Sequence, residues 1–306
     1  MKKLLVVLTI LATLPINLNA APAASGEIFF RMDMADAGTE WDIWRGRVNF
    51  KGDAGDNTTY RLTLDGKYSD RDYMDPYVKY AYVTTKTSMG KLTFGQFGKP
   101  WNSMEDKFSG RRFIYKSTPD SEKWIASQDM GLQLQTDWLF NKGMKVYMTS
   151  GENGKSAEGE EGVIGFFMQH ELSDAITFSL LSESGSHGAA DDDTSLMLGH
   201  LAYKAGSFTF GYGFADGEID NTDDTTLATT TTTREGTWFD LSVAMTDGVT
   251  LFVRNKDTTD SSETKNMIMG IQTKINDTVH AALAFETDDT DGTETDTTSL
   301  CFALKF

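Results

Sequence analysis

The sequence predicts an all-β fold: a transmembrane antiparallel β-barrel of about sixteen strands, with short turns at one rim and long connections at the other. Three observations carry this. Apolar and polar residues alternate from Ile28 to Phe306, and successive side chains of a strand point to opposite faces, so each segment has one greasy and one wet side. The connections alternate between short and long. Beyond the N-terminal segment no run of about 18 to 20 apolar residues occurs, so a membrane crossing has to be made by strands whose backbone groups are all paired. A soluble sandwich also has alternating strands, but its outward faces are mostly polar and nothing makes its loops lengthen on one rim only.

Residues 1–20 read as a secretory signal. Lys2 and Lys3 precede an apolar stretch over 4–16, and the small residues Ala20, Ala21, Ala23 and Ala24 follow, placing cleavage after Ala20 or after Ala23. Residues 21–306 then form one barrel domain. Its predicted strands are defined by their outward sets: Ile28, Phe30, Met32; Trp44, Val48, Phe50; Tyr60, Leu62, Leu64; Val78, Tyr80, Tyr82; Leu92, Phe94. The middle strands present Leu132, Leu134, Trp138; Met144, Val146, Met148; Ile164, Phe166, Met168; Ile176, Phe178, Leu180. Residues 196–203 fit either parity. The later strands present Phe208, Phe210, Tyr212; Phe239, Leu241, Val243; Val249, Leu251, Val253; Met267, Met269, Ile271; Val279, Leu283, Phe285; and Leu300, Phe302, Leu304, Phe306.

Turn chemistry marks short connections at 52–57, 86–90, 141–143, 173–174, 204–206, 246–248 and 276–277. Longer polar stretches fall at 69–76, 98–129, 151–161, 183–193, 215–235, 255–262 and 286–297. Both termini therefore belong to the short-turn rim, and the threonine-rich segment 225–233 reads as a flexible loop.

Composition excludes several function classes. With 28 basic against 45 acidic residues and a formal charge of -17, nucleic acid is excluded as a partner. A mean hydropathy of -0.36 ordinarily argues for a soluble protein, but a barrel escapes that inference because only alternate strand residues meet lipid. Cys301 is the only cysteine, so no intramolecular disulfide exists, and its parity places it on the lumen face. His170, His187, His200 and His280 stand in no hydrolase motif, and no enzyme activity is expected.

Residues 77–97, YVKYAYVTTKTSMGKLTFGQF, precede the longest connection, which contains Asp106-Lys107-Phe108-Ser109-Gly110, and the chain ends on Phe306. In these places the sequence resembles the general bacterial porins, trimeric sixteen-strand diffusion channels of the Gram-negative outer membrane. The loop motif departs from theirs: the proline and one glycine are missing, and the acids sit at Glu105 and Asp106. The resemblance implies that 98–129 folds into the barrel and narrows it, using Glu105, Asp106, Phe108, Gly110, Arg111, Arg112, Asp120 and Glu122. It also implies a homotrimer passing small hydrophilic solutes and ions, and a terminal Phe306 read by the barrel-assembly machinery. Two other readings stay open: a substrate-selective channel, and a barrel serving adhesion or envelope anchoring through its loops.

Counting inward by twos places Arg31, Arg45, Arg47, Arg61, Lys67 and Lys79 on the lumen face of the first four strands. Adjacent strands lie about 4.8 Å apart, so these cations form one basic wall facing the loop acids. Asp33 and Asp65 also point inward and compete for them. Lys107, Arg111, Arg112, Lys116 and Lys123 on the loop leave the sign of the constriction open. Acids crowd the long connections, a charge that attracts divalent cations and suits bridging to outer-membrane lipopolysaccharide. Asp289, Asp291 and Glu294 are weak Ca2+ or Mg2+ candidates, because Thr287 and Thr298 occupy the first and twelfth positions of an EF-hand pattern. Solvated acidic loops are the expected state, and no other cofactor is implied.

Overall fold

The computed structural model describes residues 22–36, 38–68, 74–150, 162–187, 192–222, 229–260 and 262–306. The predicted signal at 1–20 lies outside them, as do the side chain of Lys67, most of the connection 69–76, all of 151–161, and parts of 183–193 and 215–235.

The strands are β1 (Ala23–Ala35), β2 (Gly38–Asp53), β3 (Thr58–Tyr68), β4 (Met74–Thr87), β5 (Gly90–Gly98), β6 (Gln128–Thr136), β7 (Met144–Thr149), β8 (Val163–Glu171) and β9 (Ile176–His187). They continue as β10 (Asp192–Ala205), β11 (Phe208–Thr222), β12 (Thr229–Thr233), β13 (Glu235–Thr246), β14 (Val249–Thr259), β15 (Glu263–Lys274), β16 (Val279–Thr290) and β17 (Thr293–Lys305). Helices α1 (Pro100–Ser109) and α2 (Thr118–Ser121) lie between β5 and β6. Neighbours pair antiparallel, and β17 returns to β1 in a register running from Glu27↔Lys305 to Ala35↔Thr297, which closes the sheet. β12 and β13 both pair with β11 and are broken only at Arg234, whose N–H donates to the Gly217 carbonyl at 2.7 Å. They are one stave, and the described residues form a sixteen-stave barrel.

Both chain ends meet at the short-turn rim. Gly26 and Phe306 exchange backbone hydrogen bonds of 2.7 and 3.0 Å, and the Phe306 ring lies where a Cβ on residue 26 would stand, so only glycine fits there. Outside, the apolar sets form an exposed belt that includes Phe94, 65 % exposed, and Ile164, 59 % exposed. A continuous exposed apolar surface of that kind fits lipid and not water. The ambiguous strand resolves in β10: Met197, Leu201 and Tyr203 face out, while Leu196, Leu198 and His200 are buried inside.

Three residues predicted to face outward do not. The β1–β2 register slips between Phe29 and Arg31, a bulge that shifts the period of β2 by one residue. Trp41 is thereby turned out, 71 % exposed, and Trp44 turned in, its ring 5.5 Å from that of Phe29. A second slip between Thr63 and Leu64 does the same to β4: Val78 pairs with outward Leu64, but Tyr80 and Tyr82 stand opposite inward Thr63 and Arg61. Both bulges add aromatic surface to the same stretch of inner wall.

Four predicted long connections are strand instead over their described residues, one of them 183–193, where 183–187 belong to β9 and 192–193 to β10. β16 and β17 run to a two-residue turn at 291–292, β14 and β15 approach to 260–262, and the described part of the threonine-rich segment pairs as β12 with Glu218–Thr222. Above the apolar belt both faces of a strand meet water, so the period-two signal fades although threonine keeps its strand propensity. Replacing outward Met269 with arginine is expected to lower folding stability in lipid vesicles by about 2–4 kcal/mol. Inward Gln272→Arg is expected to lower it far less; equal losses in a denaturant titration would contradict the assigned faces.

Candidate functional site

The connection from β5 to β6 runs inside the barrel. Pro100 opens α1 at a position whose N–H has no helical partner, and Gly110 ends it in the left-handed conformation, φ 68°, with its N–H donating to the Asp106 carbonyl at 3.0 Å. Trp101 and Met104 pack with Leu196, Leu198 and Trp238 of the inner wall. Phe108 meets the His200 ring edge-on at 4.9 Å, over Gly211, where any Cβ would strike the Phe108 ring. Farther along, Phe113, Ile114 and Tyr115 join inward Phe29, Phe252, Ile268 and Cys301. The segment thus lies along the wall made by β7–β17 and leaves open space on the β2–β4 side.

Buried ions fasten it. At its stem, Lys99 is fully enclosed, with Nζ 2.7 Å from Glu183 and 3.9 Å from Asp129, donating to Thr149 Oγ1 at 3.1 Å. The Tyr147 hydroxyl donates to the same Glu183. At the far side Arg254 on β14 lies 3.6 Å from Glu105, donates to the Lys116 carbonyl at 2.7 Å, and bonds Thr118. Tyr115 donates to Asp240 at 2.8 Å, and Lys256 lies 2.6 Å from Glu122. Sequence reasoning missed Lys99 on the segment and Asp240, Arg254 and Lys256 on the wall. Counting inward by twos along β14 would have found Arg254 and Lys256; Lys99 carries no pattern at all.

The candidate constriction residues therefore divide. Glu105 is 1 % exposed, accepting from the Trp101 indole at 2.9 Å and the Thr118 N–H at 3.1 Å. Glu105 and Glu122 hold the segment to the wall and do not face open space. Arg111 is buried 4.9 Å over the Phe252 ring, and Phe108 is packed on His200. Asp106, Gly110, Arg112 and Asp120 do face open space, in a cavity of about 400 Å³. Arg112 sits between the two acids, 2.7 Å from Asp120 and 3.4 Å from Asp106.

Across this cavity stand Arg45, Arg47, Arg61 and Lys79 with Tyr80. Asp65, 3 % exposed, lies 2.8 Å from Arg47, 3.6 Å from Arg45 and 3.8 Å from Lys79, while Arg47 also reaches Glu27 at 2.9 Å. Arg61 bonds only neutral partners, Asn49 at 2.7 Å and Thr63 at 2.9 Å, and lies 4.6 Å over the Tyr80 ring. Lys107 and Lys305 are the remaining cations of the lining. Among the described residues Arg61, Lys107 and Lys305 enter no ion pair, so the carboxylates of this cavity leave it positive. Arg31 stands apart, 2.6 Å from Asp33 and 3.4 Å from Glu286, in a separate cavity of about 390 Å³ beside Trp44.

On the outer rim, Asp289 stands opposite Glu294 in the β16–β17 ladder, and Asp291 accepts the Glu263 N–H at 3.0 Å. The described residues hold no group of three or more His, Cys, Asp or Glu able to bind a metal ion.

No protein-family model and no curated protein matches the chain. Solved structures do. The anion-selective porin from Comamonas acidovorans is similar with a TM-score of 0.72 at 11% identity, covering 94% of this chain and 99% of that one. In-vitro folded OmpT, an outer membrane protein of Vibrio cholerae in trimer form, gives 0.68 at 11% identity over 94% and 100%. Salmonella typhi OmpF in complex with daunomycin gives 0.66 at 10% identity over 93% and 97%. The chain shares its closed antiparallel barrel fold with these outer-membrane proteins.

Removing Arg254 by substitution with alanine leaves Glu105 and Asp240 buried without their cation, a loss of about 3–5 kcal/mol. The expected result is a lower thermal midpoint in detergent and proteolytic cleavage within 98–129. Burial pushes the Glu105 carboxyl up to about 7. A raised folded-state value means the folded barrel holds the proton more tightly, so this stabilisation is complete below about pH 4.5 and is lost as pH rises through about 7. The thermal midpoint should fall between pH 5 and pH 8 by more in the wild type than in Glu105→Gln.

Proposed function

We propose that the chain is an outer-membrane porin, a water-filled channel through which small hydrophilic solutes and ions diffuse passively, with anions favoured at its narrowest point. One observation carries the reading: an apolar exterior belt encloses a lumen lined by ions, and the segment fixed inside it faces a wall with more cations than carboxylates. About sixteen strands enclose water instead of a filled core, so selectivity falls to whatever narrows and charges that water. Here Arg112 offsets one of the two charges of Asp106 and Asp120, and Asp65 is shared among three cations behind the surface. Arg61 and Lys107 then face the solute with their charge unshared.

The chain has a net charge of -17, but many of its acids lie on the extended hairpins, among them Asp220, Asp288, Asp289, Asp291, Glu294 and Asp296. That rim suits divalent cations bridging to lipopolysaccharide at the outer leaflet. A homotrimer and recognition of Phe306 during assembly belong to the same reading. It is supported by the fold shared with an anion-selective porin and with a trimeric outer membrane protein.

Reconstitution in planar bilayers under a KCl gradient tests it. The wild type is expected to conduct with a reversal potential on the anion side. One charge about 7 Å from a permeating ion in water is worth about 0.6 kcal/mol, with opposite sign for chloride and potassium, so each of Arg61→Gln and Lys107→Gln should lower the chloride-to-potassium permeability ratio roughly sevenfold. A closed barrel, or a reversal potential that neither variant moves, would refute the proposal.

A further inference from the structure

Below the positive cavity, toward the short-turn rim, lies a second chamber of about 550 Å³. Its roof is one face of α1, where Pro100, Ser103, Met104, Lys107 and Phe108 recur at helical spacing. Its wall comes from the turn ends of β6–β10. Ser103 and Lys107 line both spaces.

Three features of the chamber select a ligand class. The first is charge. Lys142 is held by Glu171 at 3.0 Å, but among the described residues Lys107, Lys145 and Lys204 enter no ion pair, and Asp174 is the one other carboxylate in the lining. The second is an apolar surface beside that charge: Lys145 is register partner to Phe167, so the two share a face, and the Lys204 ammonium lies 5.2 Å from the centre of the Phe108 ring. The third is a pair of amides, Gln135 and Gln169, able to meet a polar edge.

We propose that this chamber is a binding station for flat organic monocarboxylates, holding the carboxylate at Lys145 and Lys204 and the apolar body against Phe108 and Met104. An inorganic anion uses only the lysines, a neutral solute leaves three cations unmatched, and a cation is repelled. A solute with both a charge and a ring satisfies every part of the lining. Lys107, on the lining of both spaces, gives a carboxylate a cation to pass from the Arg61 side to the chamber. This inference rests on the lumen being open to solute, and its test is chosen to separate the two.

The measurement is calorimetric titration of the folded barrel in detergent with benzoate, with acetate and benzamide as the probes lacking the ring and the charge. Benzoate is expected to bind about tenfold more tightly than either, and the double variant Lys145→Gln/Lys204→Gln to lose about that factor. Lys145→Arg, which keeps the charge, should retain binding and so exclude a mere folding defect. Equal affinity for benzoate and acetate, or benzoate binding untouched by the double variant, overturns the chamber even if the barrel conducts KCl. Lysine-dependent benzoate binding by a barrel that does not conduct upholds the chamber and removes the diffusion reading instead.

Discussion

Closure of the hydrogen-bond ladder between β1 and β17 is the constraint on which everything else rests. In hydrocarbon an unpaired N–H or C=O has no water to turn to, so a sheet standing there must have no edge. The register from Glu27↔Lys305 to Ala35↔Thr297 removes it, and the last residue, Phe306, completes the seam over Gly26. Once the ring is closed, the two faces of every strand are fixed at once: one belongs to lipid and the other to the lumen.

Such a ring has no solid core, and the inner segment takes part of that role. It is held by charges as much as by apolar contact: Lys99 with Glu183 and Asp129 at the stem, Arg254 with Glu105 at the far side. Buried ion pairs contribute little net stability, yet breaking one is expensive because it strands its partner. They therefore act as position-fixing pins. The pins also explain why the segment leans on β7–β17, leaving the cavity against β2–β4 free.

Much of this was legible in the sequence, since period-two alternation states directly which face is apolar. The barrel, the short-turn rim with both termini, and the inward side of Arg45, Arg47, Arg61 and Lys79 all follow from that rule. It failed at Trp44, Tyr80 and Tyr82, because a bulge adds one residue and reverses parity without any signature in composition. It failed again above the belt, where strands such as the end of β16 carry polar residues on both faces and read as loop. In the inner segment, acids near the motif looked alike on paper. Only three-dimensional packing separates Asp106, which faces water, from its neighbour Glu105, one position and about 100° of helix away, which faces Arg254.

The extension of β16 and β17 past the belt has a mechanical side. Acids on a slack tether can drift apart, but Asp289 and Glu294 stand directly opposite each other on a paired ladder, with Asp296 held by Thr287 at 2.7 Å. Their spacing is set by backbone geometry; Lys265 stands opposite Asp289 on β15, and the ion atmosphere relieves the remaining repulsion. Rigid, like-charged spurs of this sort make the crown of the barrel a fixed-charge surface that recruits its own mobile counterions.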